Sequence, residues 1–559
     1  MFWTLIISAY ISYLCWTWGV ISWNLLKKMT GSQYTALPHF SILSFLGFCV
    51  LTSLLGFLSI FIPLGGIIPQ LLLGIPVVLA WVYKGKQFKL LFIQDFKDMA
   101  TPAILLLASC LLMILVVGSW KIVHPDTLGY HAQTIQWIEK YKAVPGLVHL
   151  QVRYGYQGLW YVSAAFFSFR FTGLHAVTFI NTAILAWYLF FVTGRISRAL
   201  LEKEKSFLLI GWILLLGISL ISYTQVRLTA ASASPDFIAV LLTWLSFYLF
   251  FLADKYNNSL SLVLVSIFSI TAVVIKLSVL PVLLLLPVIL YVRLRRKDFR
   301  MGIILLLMAV MMFIPFLSRN IISSGYPVFP SPIPDLFNTD WKYDPGLTSL
   351  EKDYISAYGR MPVDHSREAI DRVLHKQTGE WIPVWWNNRS LADRSIIILL
   401  IFAVAVMLLK SRIFFKISKR KAVVLFTAIA GIIFWWLQAP DPRFGFAFII
   451  PVPAIVFYEV FQHKKIKGKS IALLLVIGPL ALVLSYTAYR LVNFFSPRQL
   501  LEPVGIVEGK FKEIDCYQVK FTVPAPENSC GDAPVPCVYG DCSQFILRGS
   551  SLDEGFRAK

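Results

Sequence analysis

Apolar runs of bilayer length recur along this chain and constrain its fold more than any other feature. A helix crossing the hydrocarbon core needs about 20 predominantly apolar residues. Such runs fall at 2–25, 41–62, 66–83, 101–120, 173–194, 206–223, 236–253, 260–275, 277–293, 301–318, 394–410, 421–438, 444–461 and 470–490. Lipid offers backbone groups no partners, so each run must satisfy its own hydrogen bonds as a helix. The expected fold is an all-α polytopic membrane protein with about 14 transmembrane helices. Composition excludes the soluble alternative: 14% of the residues are charged, against about a quarter in soluble domains. The first run is long and lacks a basic leader, so it reads as a retained helix rather than a cleaved signal. The halves of 260–293 are short, but the basic clusters around them require an even number of crossings.

The net charge of +21 could suggest a nucleic-acid partner, but its placement argues against one. The basic residues gather in short loops: Lys84, Lys86 and Lys89; Arg195, Arg198, Lys203 and Lys205; Arg293, Arg295, Arg296 and Lys297; the stretch 410–421; and Lys464, Lys465, Lys467 and Lys469. Lysine and arginine in short loops mark the cytoplasmic side. Threading the runs between these loops leaves both termini and three large segments outside: 121–172, 319–393 and the tail 491–559. Cysteine usage agrees. Cys15, Cys49 and Cys110 sit in apolar runs as small core residues. Cys516, Cys530, Cys537 and Cys542 share the tail, where a zinc site would lack a C-x-x-C pair and any histidine. They are expected to form two disulfides, of open connectivity, in an oxidising compartment.

The segment His124-Pro-Asp-Thr-Leu-Gly-Tyr-His131 follows the run 101–120 and places a carboxylate and two imidazoles at the outer surface. Asp126 suits a general base toward a hydroxyl, and Arg153 suits phosphate oxygens. Each has a plainer reading. Asp126 could cap a helix, and Arg153 could snorkel or pair with an acid. His124 and His131 alone are a weak metal signal. The stretch from Tyr130 to Tyr141 reads as a short amphipathic helix whose Trp137 and Tyr141 suit a membrane interface. The apolar stretch from Gly158 to Phe169 is too short to span, so it lies on or dips into the outer surface. Other ionisable residues fall at outer ends of spans: Lys276, Arg227 and Asp236, Arg319, and Arg443 in Pro440-Asp-Pro-Arg-Phe444. Ionisable residues at membrane depth are usually functional or paired, and each of these singly has the plainer reading of an interface anchor or a structural ion pair. The segment 319–393, with alternating charges and several tryptophans, is expected to form a small helical cap.

This order of elements resembles the GT-C superfamily of integral membrane glycosyltransferases, which includes the protein O-mannosyltransferases and the bacterial aminoarabinose transferases. His-Pro-Asp…Tyr-His, Val144-Pro-Gly-Leu147 and Arg319-Asn-Ile-Ile-Ser-Ser-Gly-Tyr-Pro327 also look similar to uncharacterised bacterial membrane proteins placed near that group. The resemblance covers about 100–490, a GT-C-like core preceded by a three-helix membrane extension over 1–100. It implies transfer of a sugar from a polyprenyl-phosphate carrier to a glycan, lipid or protein acceptor, with inversion. Asp126 would be the general base. Arg153, Lys276, Arg319 and Arg443 would bind the phosphate, with His124, Tyr130, His131 and Tyr154 as further substrate contacts. A groove between spans would hold the prenyl tail among membrane lipids. No cofactor is expected, a divalent metal has no support, and no Gly-rich nucleotide loop is present. The implied setting is a bacterial inner membrane with the site facing the periplasm. Many members carry paired acidic residues in this loop, whereas Asp126 stands alone before the first helix. Two rivals share the features: a glycan polymerase or ligase of another membrane fold relying on arginines, and a lipid or sugar transporter or flippase, which would place charges nearer the midplane. A scaffold subunit is the plainest.

Overall fold

A computed structural model describes residues 1–31, 38–97, 99–122, 124–174, 177–201, 231–256, 259–414, 417–461, 469–502, 509–526 and 528–559. The chain is mostly helical. Among the described residues, eleven helices are long and apolar enough to cross a membrane. They are Phe2–Thr30, Phe40–Phe61, Ile67–Lys86, Thr101–Gly118, Phe179–Arg198, Leu277–Arg295, Phe299–Ser324, Leu391–Leu409, Lys419–Gln438, Pro442–Val460 and Val476–Phe494. Two shorter apolar helices, Asp236–Phe251 and Ser259–Ile275, stand where 236–253 and 260–275 are read as spans. The run 206–223, with Lys203, Lys205, Arg227, Lys464, Lys465 and Lys467, lies outside the described residues.

Burial sorts the helices. Phe40–Phe61 and Phe179–Arg198 are 78% and 83% buried over their most apolar windows, whereas Ile67–Lys86 and Val476–Phe494 are 22% buried. The first pair forms the centre; the second offers Val78, Val82 and Val492 to the surroundings, as lipid-facing helices do. The central helix Phe40–Phe61 packs against Phe2–Thr30, Leu159–Phe166, Phe179–Leu201 and Phe299–Ser324. The N-terminal helices therefore share one apolar core with the later ones. The stretch after Gly158 goes deeper than a surface helix: Leu159–Phe166 is buried throughout, and Ser163 bonds Thr52 at 2.8 Å.

Helix Phe299–Ser324 continues past 318, so the large loop begins at Gly325 and Arg319 lies inside the helix. Polar side chains extend it by bonding their own backbone: Asn320 donates to the Phe316 carbonyl at 2.8 Å and Ser324 to the Asn320 carbonyl at 2.8 Å. Gly325, in the left-handed region at φ 86°, ends it. The loop then folds into a cap of three helices, Pro345–Arg360, Arg367–Leu374 and Thr378–Asn387.

The tail forms two antiparallel hairpins, β1 (Phe511–Cys516) with β2 (Val519–Pro524), and β3 (Phe545–Leu547) with β4 (Phe556–Ala558). Cys516 is bonded to Cys542 and Cys530 to Cys537. Phe521, Val523, Phe545 and Phe556 of the tail share an apolar cluster with Trp137, Val144, Leu147 and Tyr154. Trp137 is therefore no membrane-interface anchor. It is 1% exposed, with Tyr141 on one side and Phe556 on the other. Cap and tail meet through Asp340 and Arg548, at 2.8 Å.

Candidate functional site

One arginine organises the charged residues at the capped end of the bundle. Arg443 is the second residue of Pro442–Ile449, directly after the tight turn that follows Lys419–Gln438. Asp441 shapes that turn by accepting from the Arg443 amide at 3.1 Å. Its carbonyl takes the Trp435 indole at 2.7 Å, the Pro440 carbonyl takes the Trp385 indole at 2.6 Å, and Arg389 pairs with its carboxylate at 3.1 Å. Fixed in this way, Arg443 presents Nη1 to Asp126 Oδ2 at 3.1 Å and to Asp236 Oδ2 at 3.9 Å.

Two further cations complete the network. Lys276, at the break between Ser259–Ile275 and the turn Leu277–Leu284, pairs with Asp236 and lies 4.2 Å from the Phe444 ring centre. Arg153 Nη1 lies 3.7 Å from Asp126 Oδ1, and its Nε lies 3.7 Å from Glu351 Oε1 of the cap. Its guanidinium also sits over the rings of Tyr130 and Tyr354. Glu351 is 3% exposed, accepts from the Tyr156 hydroxyl, and has His365 at 3.8 Å.

Asp126 does not cap its helix. It has helical backbone angles, and no backbone amide bonds its carboxylate. The ring of His124 does the capping, with Nδ1 accepting from the Asp126 amide at 3.1 Å. The next residues, Thr127–His131, form a π-helical turn leading into Ala132–Lys140, an irregularity common at functional sites. Thr127 Oγ1 accepts from the Ala233 amide at 3.2 Å and lies 3.3 Å from His131 Nδ1. The loop before Asp236 is held as firmly: Asn181 donates to the carbonyls of Ser232 and Ser234, each at 2.9 Å.

Burial alone would push the Asp126 carboxyl up, but Arg443, with Arg153 behind it, holds it well below the ordinary carboxylate range. His131 is pushed by burial down to about 3, and burial likewise lowers His124, so both rings are neutral near pH 7. Burial raises Glu351, against the pull of its Tyr156 bond and Arg153. Among the described residues no three His, Cys, Asp or Glu side chains gather where a metal ion could be held.

Of the residues singled out in the sequence, Asp126, His124, Tyr130, His131, Arg153, Lys276 and Arg443 converge. Arg319 stands apart: it is buried, donating to Ser59 Oγ at 2.9 Å and to Gln157 Oε1 at 2.6 Å, so it ties the end of Phe40–Phe61 to the loop before Leu159. Tyr154 turns the other way, its hydroxyl 3.5 Å from the Cys537 carbonyl in the tail. Tyr156, two positions on, reaches the charges instead, through its bond to Glu351. Asp236 supplies the second carboxylate that the first outer loop lacks, and Glu351 a third. The signal for Asp236 was an acid directly before an apolar run. Glu351 lay among other charges with nothing in its surroundings to mark it.

Neither a curated protein nor a solved structure matches the chain. All the ionised residues named in this network, from Asp126 to Arg443, precede residue 450, whereas the disulfide-bonded tail follows it. Residues 1–450 match the family described as Domain of unknown function (DUF8201), and the chain belongs to that family.

Proposed function

We propose that this protein is a GT-C-like membrane glycosyltransferase that moves a sugar from a polyprenyl-phosphate carrier to an acceptor hydroxyl, with Asp126 as general base. The observation that carries the reading is the placement of Asp126. It is an ionised carboxylate that caps no helix and lies between Arg443 and Arg153 at a bundle end, with Lys276 and Asp236 joined to it through Arg443.

In displacement at the anomeric carbon, the acceptor oxygen loses a proton as the phosphate leaves with growing charge. Arg443, Arg153 and Lys276 are the groups to stabilise that charge. Paired as they are, these cations keep Asp126 ionised but weakly basic. A phosphate entering the network competes for the same guanidinium groups. As they turn toward it, the carboxylate becomes the better base. Arg319 has no place in this step; it supports the loop that carries Arg153.

The basic residues Lys27, Lys28, Arg198, Arg295, Lys297, Lys410 and Lys421 occupy the helix ends opposite the site. Positive-inside bias then orients the site outward, as lipid-linked sugar chemistry in a bacterial inner membrane requires, in keeping with the about fourteen spans expected from apolar runs of bilayer length. A transporter would concentrate charge near the midplane. The network instead sits at helix ends, which favours the transferase.

The test compares lipid-linked sugars and glycan products in cells carrying wild type or Asp126→Asn at equal protein level. Loss of a general base costs about 10²–10⁴-fold in rate, so product should vanish and the polyprenyl-phosphate sugar accumulate. Unchanged product sinks the assignment.

A further inference from the structure

The loop closed by Cys530 and Cys537 lies residue by residue on the helix that follows Asp126. The Gly531 amide donates to the Leu128 carbonyl at 2.8 Å. Gln133 Nε2 donates to the Gly531 and Ala533 carbonyls at 3.2 and 2.7 Å. Gln136 Nε2 donates to Asp532 Oδ1 at 2.7 Å. The Tyr539 hydroxyl donates to the Gly129 carbonyl and accepts from the Cys530 amide, each at 3.1 Å. Gln133 and Gln136 are 0% and 2% exposed, so these bonds form away from water, where a donor left unpaired is costly.

The partners are telling. Leu128 and Gly129 belong to the π-helical turn that begins directly after Asp126. Such single π-turns are rare and occur frequently at functional sites. On one side Ala233 holds Thr127; on the other the tail holds the next two carbonyls. The disulfide keeps Gly531, Asp532 and Ala533 in one tight bend, so three successive residues meet one helix face.

We infer that the disulfide-closed loop of the C-terminal module is a positioning element for Asp126, setting the π-helical turn so that the carboxylate meets Arg443 and Arg153. The functional consequence rests on the role proposed for Asp126; the positioning itself does not. A module beyond the family-matched residues thereby completes a site built within them.

Hydrogen–deuterium exchange on the purified full chain in lipid nanodiscs tests this. Wild type is compared with Cys530→Ser/Cys537→Ser and with Tyr539→Phe, which keeps both disulfides. Opening the disulfide should speed exchange over 127–136 by at least about tenfold, the factor expected from losing two ordinary hydrogen bonds, while Pro345–Arg360 and Leu159–Phe166 stay protected. Tyr539→Phe should give a smaller rise confined to the same segment.

Infrared titration adds a readout that mere packing would not move. The carboxylate band absent from Asp126→Asn should titrate at higher pH in the disulfide variant, as its arginine contacts loosen. Unchanged exchange over 127–136, or an unmoved Asp126 band, overturns the proposal. If Asp126→Asn leaves glycans intact while exchange responds as expected, the transferase reading falls and the positioning stands.

Discussion

At the residue scale, Glu351 and the two histidines answer pH in opposite senses. Burial lowers His124 and His131, the latter to about 3, so below the ordinary histidine value of about 6.5 the unfolded chain binds more protons. Their contribution to stability is complete above that value and falls away as pH drops. Burial raises Glu351, so from the ordinary glutamate value of about 4.3 upward the folded protein holds the extra proton. Its contribution declines as pH rises through that window. Glu351→Gln removes this decline. The variant's thermal midpoint relative to wild type should therefore climb as pH rises from about 4.3, as followed by differential scanning fluorimetry in detergent. A constant difference across that range would mean that Glu351 keeps an ordinary acidity. None of this was readable from sequence. Asp126 was legible because it stands next to a membrane run among aromatic residues, but Arg153 meets Glu351 and Arg443 meets Asp126 only because distant helix ends share one surface.

At the element scale, spans were legible because bilayer length is a local property of the chain, and their packing was not. Gly19 and Gly47 show the difference. They mark where Phe2–Thr30 and Phe40–Phe61 cross backbone to backbone. A Cβ on Gly47 would lie 1.7 Å from the Cys15 carbonyl oxygen, and one on Gly19 would lie 1.8 Å from that of Leu43. Small residues at crossings are how membrane helices approach closely, yet neither glycine has sequence neighbours that single it out. Gly47→Ala should force the pair apart and cost about 1–3 kcal/mol or more, lowering the thermal midpoint. Gly74→Ala, with open space around its Cβ position, should change stability by no more than about 1 kcal/mol. Equal effects of the two would show that the crossing is not tight. The same limit explains Leu159–Phe166 and Phe299–Ser324. Hydropathy registers how apolar a stretch is, but not whether it is covered by protein or, as at Asn320 and Ser324, whether polar side chains carry the helix onward.

At the scale of the whole molecule, the two ends of the bundle differ in chemistry. One end carries cap, tail and a network in which Arg153, Lys276, Arg389 and Arg443 are matched by Asp126, Asp236, Glu351 and Asp441. The other carries Lys27, Lys28, Arg198, Arg295, Lys297, Lys410 and Lys421 at helix ends, where Lys421 finds Glu459 at 2.7 Å. Excess positive charge is retained on the cytoplasmic side, whereas disulfides form on the oxidising side. The two criteria are physically independent, and both favour the outward orientation proposed for the site. Single-cysteine substitution tests it in whole cells with a membrane-impermeant maleimide. Lys352→Cys, exposed on the cap, should label in intact cells. Lys410→Cys, exposed between Leu391–Leu409 and Lys419–Gln438, should label only after permeabilisation. Labelling in the reverse order would turn the site toward the cytoplasm. An outward-facing lipid-linked donor would then be out of reach, and the tail disulfides would stand in a reducing compartment, so the proposed chemistry and the proposed positioning of Asp126 by the disulfide-closed loop would fail together.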